Sequence, residues 1–196
     1  MVYCFNFDIW RVSHYLKEQH QLLYNAKQRV KMKTKKVMAG GTLICKDKAG
    51  IIGAVIKYEN RNCILTAYHV LRVRNCKLGD KLEVNGLKSK LIKVLLNYDL
   101  AIAEIHAPES ALEFSDIGEP KIGPACAIKG KFKNPCNIMT IGKTYHYLSF
   151  SFQTLPLPGD SGSPIVQNGK VVGILASIFY NNATGIAISL EAVKEY

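Results

Sequence analysis

From about residue 40 onward the chain never sustains a helical apolar period. It alternates short β-favouring runs with turn signals instead, which restricts it to an all-β barrel or sandwich. Residues 42–46, 51–58 and 63–67 read as the first three strands, joined by Asp47-Lys48-Ala49-Gly50 and Glu59-Asn60-Arg61-Asn62. Further strands are expected at 81–84, 91–96, 101–105, 125–130, 139–143, 147–153, 164–167, 170–177 and 185–188. Asn168-Gly169 is a two-residue hairpin signal, because both residues tolerate the positive φ such a turn demands. Residues 107–122, with Pro108, Pro120 and several acids, read as a connector between two halves.

Residues 1–38 differ from the rest. They carry eight Lys/Arg against two acids, a surplus of six within a chain of net charge +11. Apolar residues recur at Phe5, Ile9, Val12, Leu16, Leu23, Ala26 and Val30, a seven-residue pattern broken at Gln19 and widened by Trp10, Tyr15 and Leu22. This predicts a basic amphipathic helical extension with three open roles. It packs on its own barrel, pairs with another subunit in an oligomer, or presents residues 27–36 (Lys27, Arg29, Lys31, Lys33, Lys35 and Lys36) to a polyanion such as nucleic acid or a membrane surface. No run approaches the ~18 apolar residues that span a bilayer. Asn6 and Asp8 interrupt the apolar stretch near the start, and no small-residue cleavage site follows, so no secretory signal is read. The expectation is a soluble chain, cytoplasmic or virus-associated.

The chemistry is concentrated in Pro158-Gly159-Asp160-Ser161-Gly162-Ser163-Pro164-Ile165. Glycines around a serine build a tight turn that presents the Ser161 hydroxyl and turns the backbone N–H groups of Gly159 and Ser161 toward one spot, where an oxyanion fits. A nucleophilic serine needs a base, and the base needs a third group to fix its tautomer. Candidates lie upstream. Ile64-Leu65-Thr66-Ala67-Tyr68-His69 is an apolar strand ending in a histidine, and Asn97-Tyr98-Asp99-Leu100-Ala101 places an acid 30 residues later, 62 before Ser161.

These three segments, in the order His, Asp, Ser, resemble the trypsin/chymotrypsin-like serine proteases, with Ser163 standing where the family's box has its second glycine. The resemblance covers roughly residues 40–190. It implies two six-stranded antiparallel Greek-key β-barrels, about 40–107 and 123–190 of a domain spanning 39–196, with the site between them and a short C-terminal helix at 190–195. It further implies a serine endopeptidase with His69 as base, Asp99 as its orienting acid and Ser161 as nucleophile. Gly159 and Ser161 supply the oxyanion hole through their amides, and Asp160 is a supporting residue rather than a catalytic acid. The compact lead-in to His69 is similar to the minimal bacterial, heat-shock and viral members. Lys36-Val37-Met38-Ala39-Gly40-Gly41 loosely resembles the junction cut in digestive zymogens, whose new amino terminus would reach Asp160. The strand pattern starting right after Gly41 leaves little chain for that.

By the same resemblance the substrate pocket maps to Leu155, Ala176, Ser177 and Ile178, with residues 185–187 opposite. Leu155 is not the acid that cleavage after Lys or Arg needs, and no histidine lies between Gly173 and Ile178. Cleavage after a small or hydrophobic residue is expected. Digestive relatives carry a cysteine directly after the catalytic histidine; Val70 stands there, so that bridge does not transfer. The cysteines (Cys4, Cys45, Cys63, Cys76, Cys126 and Cys136) are read as reduced thiols, with Cys45 and Cys63 facing each other as the alternative. Neither they nor His14, His20, His106 and His146 form a ligand constellation, so no metal or cofactor is called for. Two alternatives stay open: a capsid-type protease that cuts itself once, and a basic polyanion-binding protein of the same fold with little turnover.

Overall fold

The computed structural model describes residues 36–46 and 48–193. The helical extension, its polyanion contact and its pairing role lie outside the described residues apart from Lys36, Val37 and Met38. Two antiparallel sheets carry the described chain. The first holds β1 (Thr42–Cys45), β2 (Lys48–Ile51), β3 (Ala54–Tyr58), β4 (Arg61–Ala67), β5 (Lys81–Val84), β6 (Leu87–Leu95) and β7 (Leu100–Ile105), in the order β2-β1-β5-β6-β7-β4-β3. The second is a closed barrel of β8 (Gly123–Lys129), β9 (Phe132–Ile141), β10 (Tyr145–Phe150), β11 (Pro164–Gln167), β12 (Lys170–Phe179) and β13 (Thr184–Ser189), in the order β10-β13-β12-β11-β8-β9. A five-residue helix, α1 (Tyr68–Arg72), follows β4.

Most strands match the alternation read from the sequence, and the differences have physical reasons. The run at 51–58 is broken at Ile52-Gly53, where the two halves of the chain meet. A Cβ on Gly53 would fall 2.5 Å from the Ile174 side chain of β12, so only glycine allows that approach. Residues 47–50, expected as a turn, are mostly strand: β2 pairs with β1 from Cys45↔Lys48 to Thr42↔Ile51, and the first sheet gains a seventh strand. Strand β9 starts at Phe132, well before 139, and pairs with β8 from Lys129↔Phe132 to Gly123↔Ile138. Its first half is rich in Lys, Asn and Pro, which hides it from a propensity reading. The C-terminal helix is one 3-10 turn at Glu191–Val193 among the described residues.

Three apolar clusters fill the fold, and the middle one positions the site. Ala54, Leu65, Ala67, Leu100 and Ile102 of the first sheet, with Val70 of α1, pack against Val171, Ile174, Ala176 and Ile188 of the second. Each side chain buried there contributes about 1.5–3 kcal/mol of transfer free energy, so the two halves are held by the core itself.

The lead-in to β1 is part of this packing. Val37 is fully buried, donates its N–H to the Ala111 carbonyl at 2.9 Å and accepts from Glu113 N–H at 2.8 Å. Gly40 N–H donates to the Ile52 carbonyl at 2.7 Å.

The expectation of reduced thiols throughout is corrected: Cys45 at the end of β1 is joined to Cys76, just past α1, by a disulfide. Cys45 and Cys63 are not partners. Sequence could not assign this bridge, because Cys76 follows an irregular loop whose return to β1 no spacing rule specifies. Two cations reinforce the link, Arg74 donating to the Ala49 and Val70 carbonyls and Lys46 to the Asn75 carbonyl. The bridge closes a separation of 31 residues, for which chain-entropy reasoning gives about 3.7 kcal/mol. Cys76→Ala is expected to lower the unfolding free energy by about that amount in urea titrations. An unchanged midpoint would mean that the thiols are not bridged.

Candidate active site

Strand pairing brings His69 and Asp99 together. In the antiparallel β4–β7 ladder, Thr66 faces Ala101 and Ala67 faces Leu100, so the chain leaving β4 lies beside the chain entering β7. Asp99 enters β7 from a 3-10 turn at Leu96–Tyr98 and adopts a left-handed conformation, φ 52°. Asp and Asn tolerate that region better than most residues. Its main-chain oxygen accepts from Tyr68 N–H at 2.7 Å, and its carboxylate takes two contacts from one residue: His69 N–H donates to Oδ1 at 2.9 Å and His69 Nδ1 lies 2.5 Å from Oδ2. An ionised carboxylate only accepts, so this contact requires the proton on Nδ1. Nε2 of the neutral ring is then the acceptor.

Ser161 comes from the second sheet, in the turn between the Phe152–Thr154 3-10 turn and β11. Gly159 and Gly162 take φ +93° and +96°, conformations an L side chain resists. Gly162 also presses against the first sheet: a Cβ there would lie 2.7 Å from the Ile51 carbonyl oxygen and 2.9 Å from Thr66 Oγ1. Thr66 is three residues before His69, so the serine turn abuts the strand that carries the histidine.

The Ser161 hydroxyl donates to the Ala176 carbonyl at 2.9 Å, and among the described residues no hydrogen bond joins it to His69. Within the turn, Asp160 N–H donates to Leu157 O at 3.0 Å, Gly162 N–H to Leu175 O at 2.8 Å and Ser163 N–H to Asp160 O at 3.1 Å. The amides of Gly159 and Ser161 donate to no carbonyl among the described residues.

The residues expected at the substrate pocket differ in burial. Leu155 and Ile178 are half-buried against the core of the second barrel, Ala176 is buried and Ser177 is exposed. Opposite them, Gly185 leaves space that Ile178 and Phe150 fill: a Cβ at Gly185 would stand 2.9 Å from Ile178 Cδ1 and 3.0 Å from the Phe150 ring. Phe150 was missed in the sequence, since only the β10–β13 pairing brings it next to Gly185. Beyond Leu175, whose N–H and carbonyl are taken by Ser163 O and Gly162 N–H, β12 pairs among the described strands with β13 alone.

Two free thiols are ruled out as competing nucleophiles. Burial pushes Cys63 up to about 11, with Glu104 adding to the shift, and Cys136 up to about 12, with Cys126 adding. Neither supplies thiolate near neutrality. Among the described residues no group of His, Cys, Asp or Glu is arranged to hold a metal ion, and no helix is long and apolar enough to cross a membrane.

Ser163, the residue that departs from the two-glycine box, is buried, and its hydroxyl has no hydrogen-bond partner among the described residues. An unpaired buried hydroxyl is unfavourable by about 1–3 kcal/mol. Ser163→Ala should therefore raise thermal stability, by about 1 kcal/mol, in calorimetry. A loss of stability would show that the hydroxyl is satisfied in solution.

Comparison with known proteins bears on the fold. No family model matches the chain. Nocardiopsis protease (NAPase) superposes with a TM-score of 0.65 at 11% identity, covering 82% of this chain and 95% of that one. Thermobifida fusca protease A gives 0.63 at 12% identity over 82% and 95%, and Cellulomonas bogoriensis chymotrypsin 0.60 at 13% over 82% and 94%. In sequence, the chain is 30% identical over 161 residues to the mitochondrial Do-like protease 12 of Arabidopsis thaliana, a match that takes in 68% of this chain. The chain spans 31% of the length of that plant relative.

Proposed function

We propose that this chain, whose fold is that of the chymotrypsin-like serine proteases, is a serine endopeptidase acting through His69, Asp99 and Ser161. The observation that carries the reading is the double contact of the Asp99 carboxylate with His69, at 2.9 and 2.5 Å, beside a serine turn with two undonated amides. A side chain paired at both its backbone and its ring has one orientation and one tautomer.

The steps follow from that arrangement. The Ser161 hydroxyl leaves the Ala176 carbonyl by rotation about χ1 and gives its proton to His69 Nε2 as Oγ bonds to the scissile carbonyl carbon. The carbonyl oxygen, now negative, takes the N–H groups of Gly159 and Ser161. Imidazolium, stabilised by Asp99, returns the proton to the departing amine as the C–N bond breaks. Water, deprotonated by the same ring, then hydrolyses the ester and restores Ser161. The open edge of β12 at Ala176, Ser177 and Ile178 takes the substrate as an added strand.

Specificity follows from what fills the pocket. Ile178 and Phe150 close over Gly185, with Leu155 packed on the same cluster, which supports a preference for a small or modest apolar side chain. One observation favours a second reading, a capsid-type chain that acts once on itself or a basic binding protein: the Ser161 hydroxyl rests on Ala176 rather than on His69. Turnover of an added peptide separates the two.

Peptide hydrolysis by wild type and variants tests the proposal. Ser161→Ala or His69→Ala should each lower kcat by roughly four to six orders of magnitude, with the triple variant no worse than Ser161→Ala alone. Asp99→Asn should lose about 10⁴-fold. Additive losses would contradict a shared mechanism. Ile178→Gly should raise kcat/KM for a bulky aromatic residue before the scissile bond by about tenfold or more; an unchanged preference would place the pocket elsewhere.

A further inference from the structure

The Ser161 hydroxyl rests on β12 through the Ala176 carbonyl, and beyond Leu175 that strand pairs among the described strands with β13 alone. A substrate laid along β12 up to the scissile bond leaves its second half on the other side of the serine turn. There Gly162 abuts β2: a Cβ on it would lie 2.7 Å from the Ile51 carbonyl oxygen. The surface beyond Ser161 is therefore β2, running from Ile51 back to Lys48, with α1 beside it.

Cations gather on this surface. Arg74 Nη1 donates at 2.6 Å to the carbonyl of Val70, the residue after His69, and Nη2 donates to the Ala49 carbonyl, two residues from Ile51. Both acceptors are neutral, so the guanidinium keeps its charge between α1 and β2. Gly50 faces the same way, since a Cβ there would stand 2.9 Å from Val70 Cγ1 and 3.2 Å from Arg74 Nη1. Side chains two apart on a strand share a face, so the exposed Lys48 leaves β2 on the Arg74 side. Residues 42–51 and 68–80 together hold five Lys/Arg against two acids. Of those acids, Asp80 is taken by Lys46 at 3.3 Å and by Lys77 N–H, and Asp47 lies outside the described residues.

The second barrel brings another cation to the same place. The β8–β9 tip is held there because Gly130 N–H donates to the Gly40 carbonyl at 2.8 Å and Gly40 N–H to the Ile52 carbonyl at 2.7 Å. Lys129 is engaged by Asp160 Oδ1 at 2.5 Å, whereas Lys131, at the tip itself, is exposed. Between Glu119 and Asp160 the sequence contains no acid, so nothing on β8, β9 or β10 neutralises Lys131.

We propose that these cations select the leaving half of the substrate, favouring acidic residues at the second to fourth positions after the scissile bond. Arg74 and Lys48 meet them from one side and Lys131 from the other. This deepens the reading of Ser161 as nucleophile and rests on it. The first residue after the bond carries the amine that His69 protonates. An extended chain advances about 3.3 Å per residue, so the next residues pass Ile51 and Ala49. Charges on such a rim set encounter and orientation, while the apolar pocket reads the other half of the substrate.

The test uses three internally quenched peptides with one small apolar residue before the bond, differing only at the second to fourth positions after it: acidic, amide-bearing (Asn/Gln) or lysine. Mass spectrometry of the products fixes the bond cut. On the full-length wild type, kcat/KM should be about three- to tenfold higher for the acidic peptide than for the amide one, and lowest for the lysine one. Raising salt from about 0.05 to about 0.5 M should close most of the gap. Lys48→Glu combined with Lys131→Glu should invert the order. Should that pair unfold, Lys48→Gln with Lys131→Gln should flatten it. Equal rates on the three peptides, or an order the variants leave unchanged, would overturn the proposal and keep Ser161 as nucleophile. Equal rates together with salt-sensitive binding of oligouridylate would overturn it too, and assign the cations to nucleic acid. No cleavage of any peptide by the folded wild type would remove the protease reading, and the proposal with it.

Discussion

The pairing of β4 with β7, closed at its end by the Asp99 carboxylate on His69, is the contact on which the rest of the site depends. Both residues sit where a strand gives way to an irregular segment, so neither has a neighbour in the ladder to hold its side chain. The ladder fixes the backbone, with Tyr68 N–H on the Asp99 carbonyl, and the carboxylate then fixes the ring. Charge-assisted hydrogen bonds of this kind are shorter and about twice as strong as neutral ones. Here they are spent on one orientation of one imidazole.

A second constraint sets the serine turn against the strand that leads to that imidazole. The two sheets share an apolar cluster, and they approach most closely at glycines: Gly53 against Ile174, and Gly162 against Ile51 and Thr66. Side chains at these positions would overlap atoms of the facing half, and a displacement on the order of 1 Å is costly to catalysis. The disulfide between Cys45 and Cys76 works on the same side of the site. It ties the chain leaving α1 back to β1, so the short helix that carries His69 is anchored at both ends.

Much of this was legible in the sequence, for reasons that differ by residue. His69 and Asp99 stand in local signatures because each must leave a strand at a particular point, and alternation marks where strands stop. Gly159 and Gly162 were readable because positive φ has few other occupants. Lys129, whose Nζ meets Asp160 Oδ1 at 2.5 Å, was not, being one of 26 Lys/Arg with nothing local to mark it; the two are 31 residues apart and only the barrel brings them together. Phe150 and Cys76 were hidden in the same way, since each meets its partner through topology rather than through spacing. The first half of β9 was lost for the opposite reason: its own residues disfavour a strand, and pairing all along β8, with Cys136 also on β10, overrides them. Local chemistry was read from the sequence, and what depends on long-range pairing was not.

The central claim is that Ser161 is an activated nucleophile beside a prepared oxyanion site. Intact-mass analysis after exposure to a fluorophosphonate probe tests it most directly, on wild type and Ser161→Ala side by side. One adduct per wild-type chain, mapped to Ser161, and none on Ser161→Ala is the predicted result. Equal labelling of both chains, or none on the wild type while the fold is intact, would contradict it.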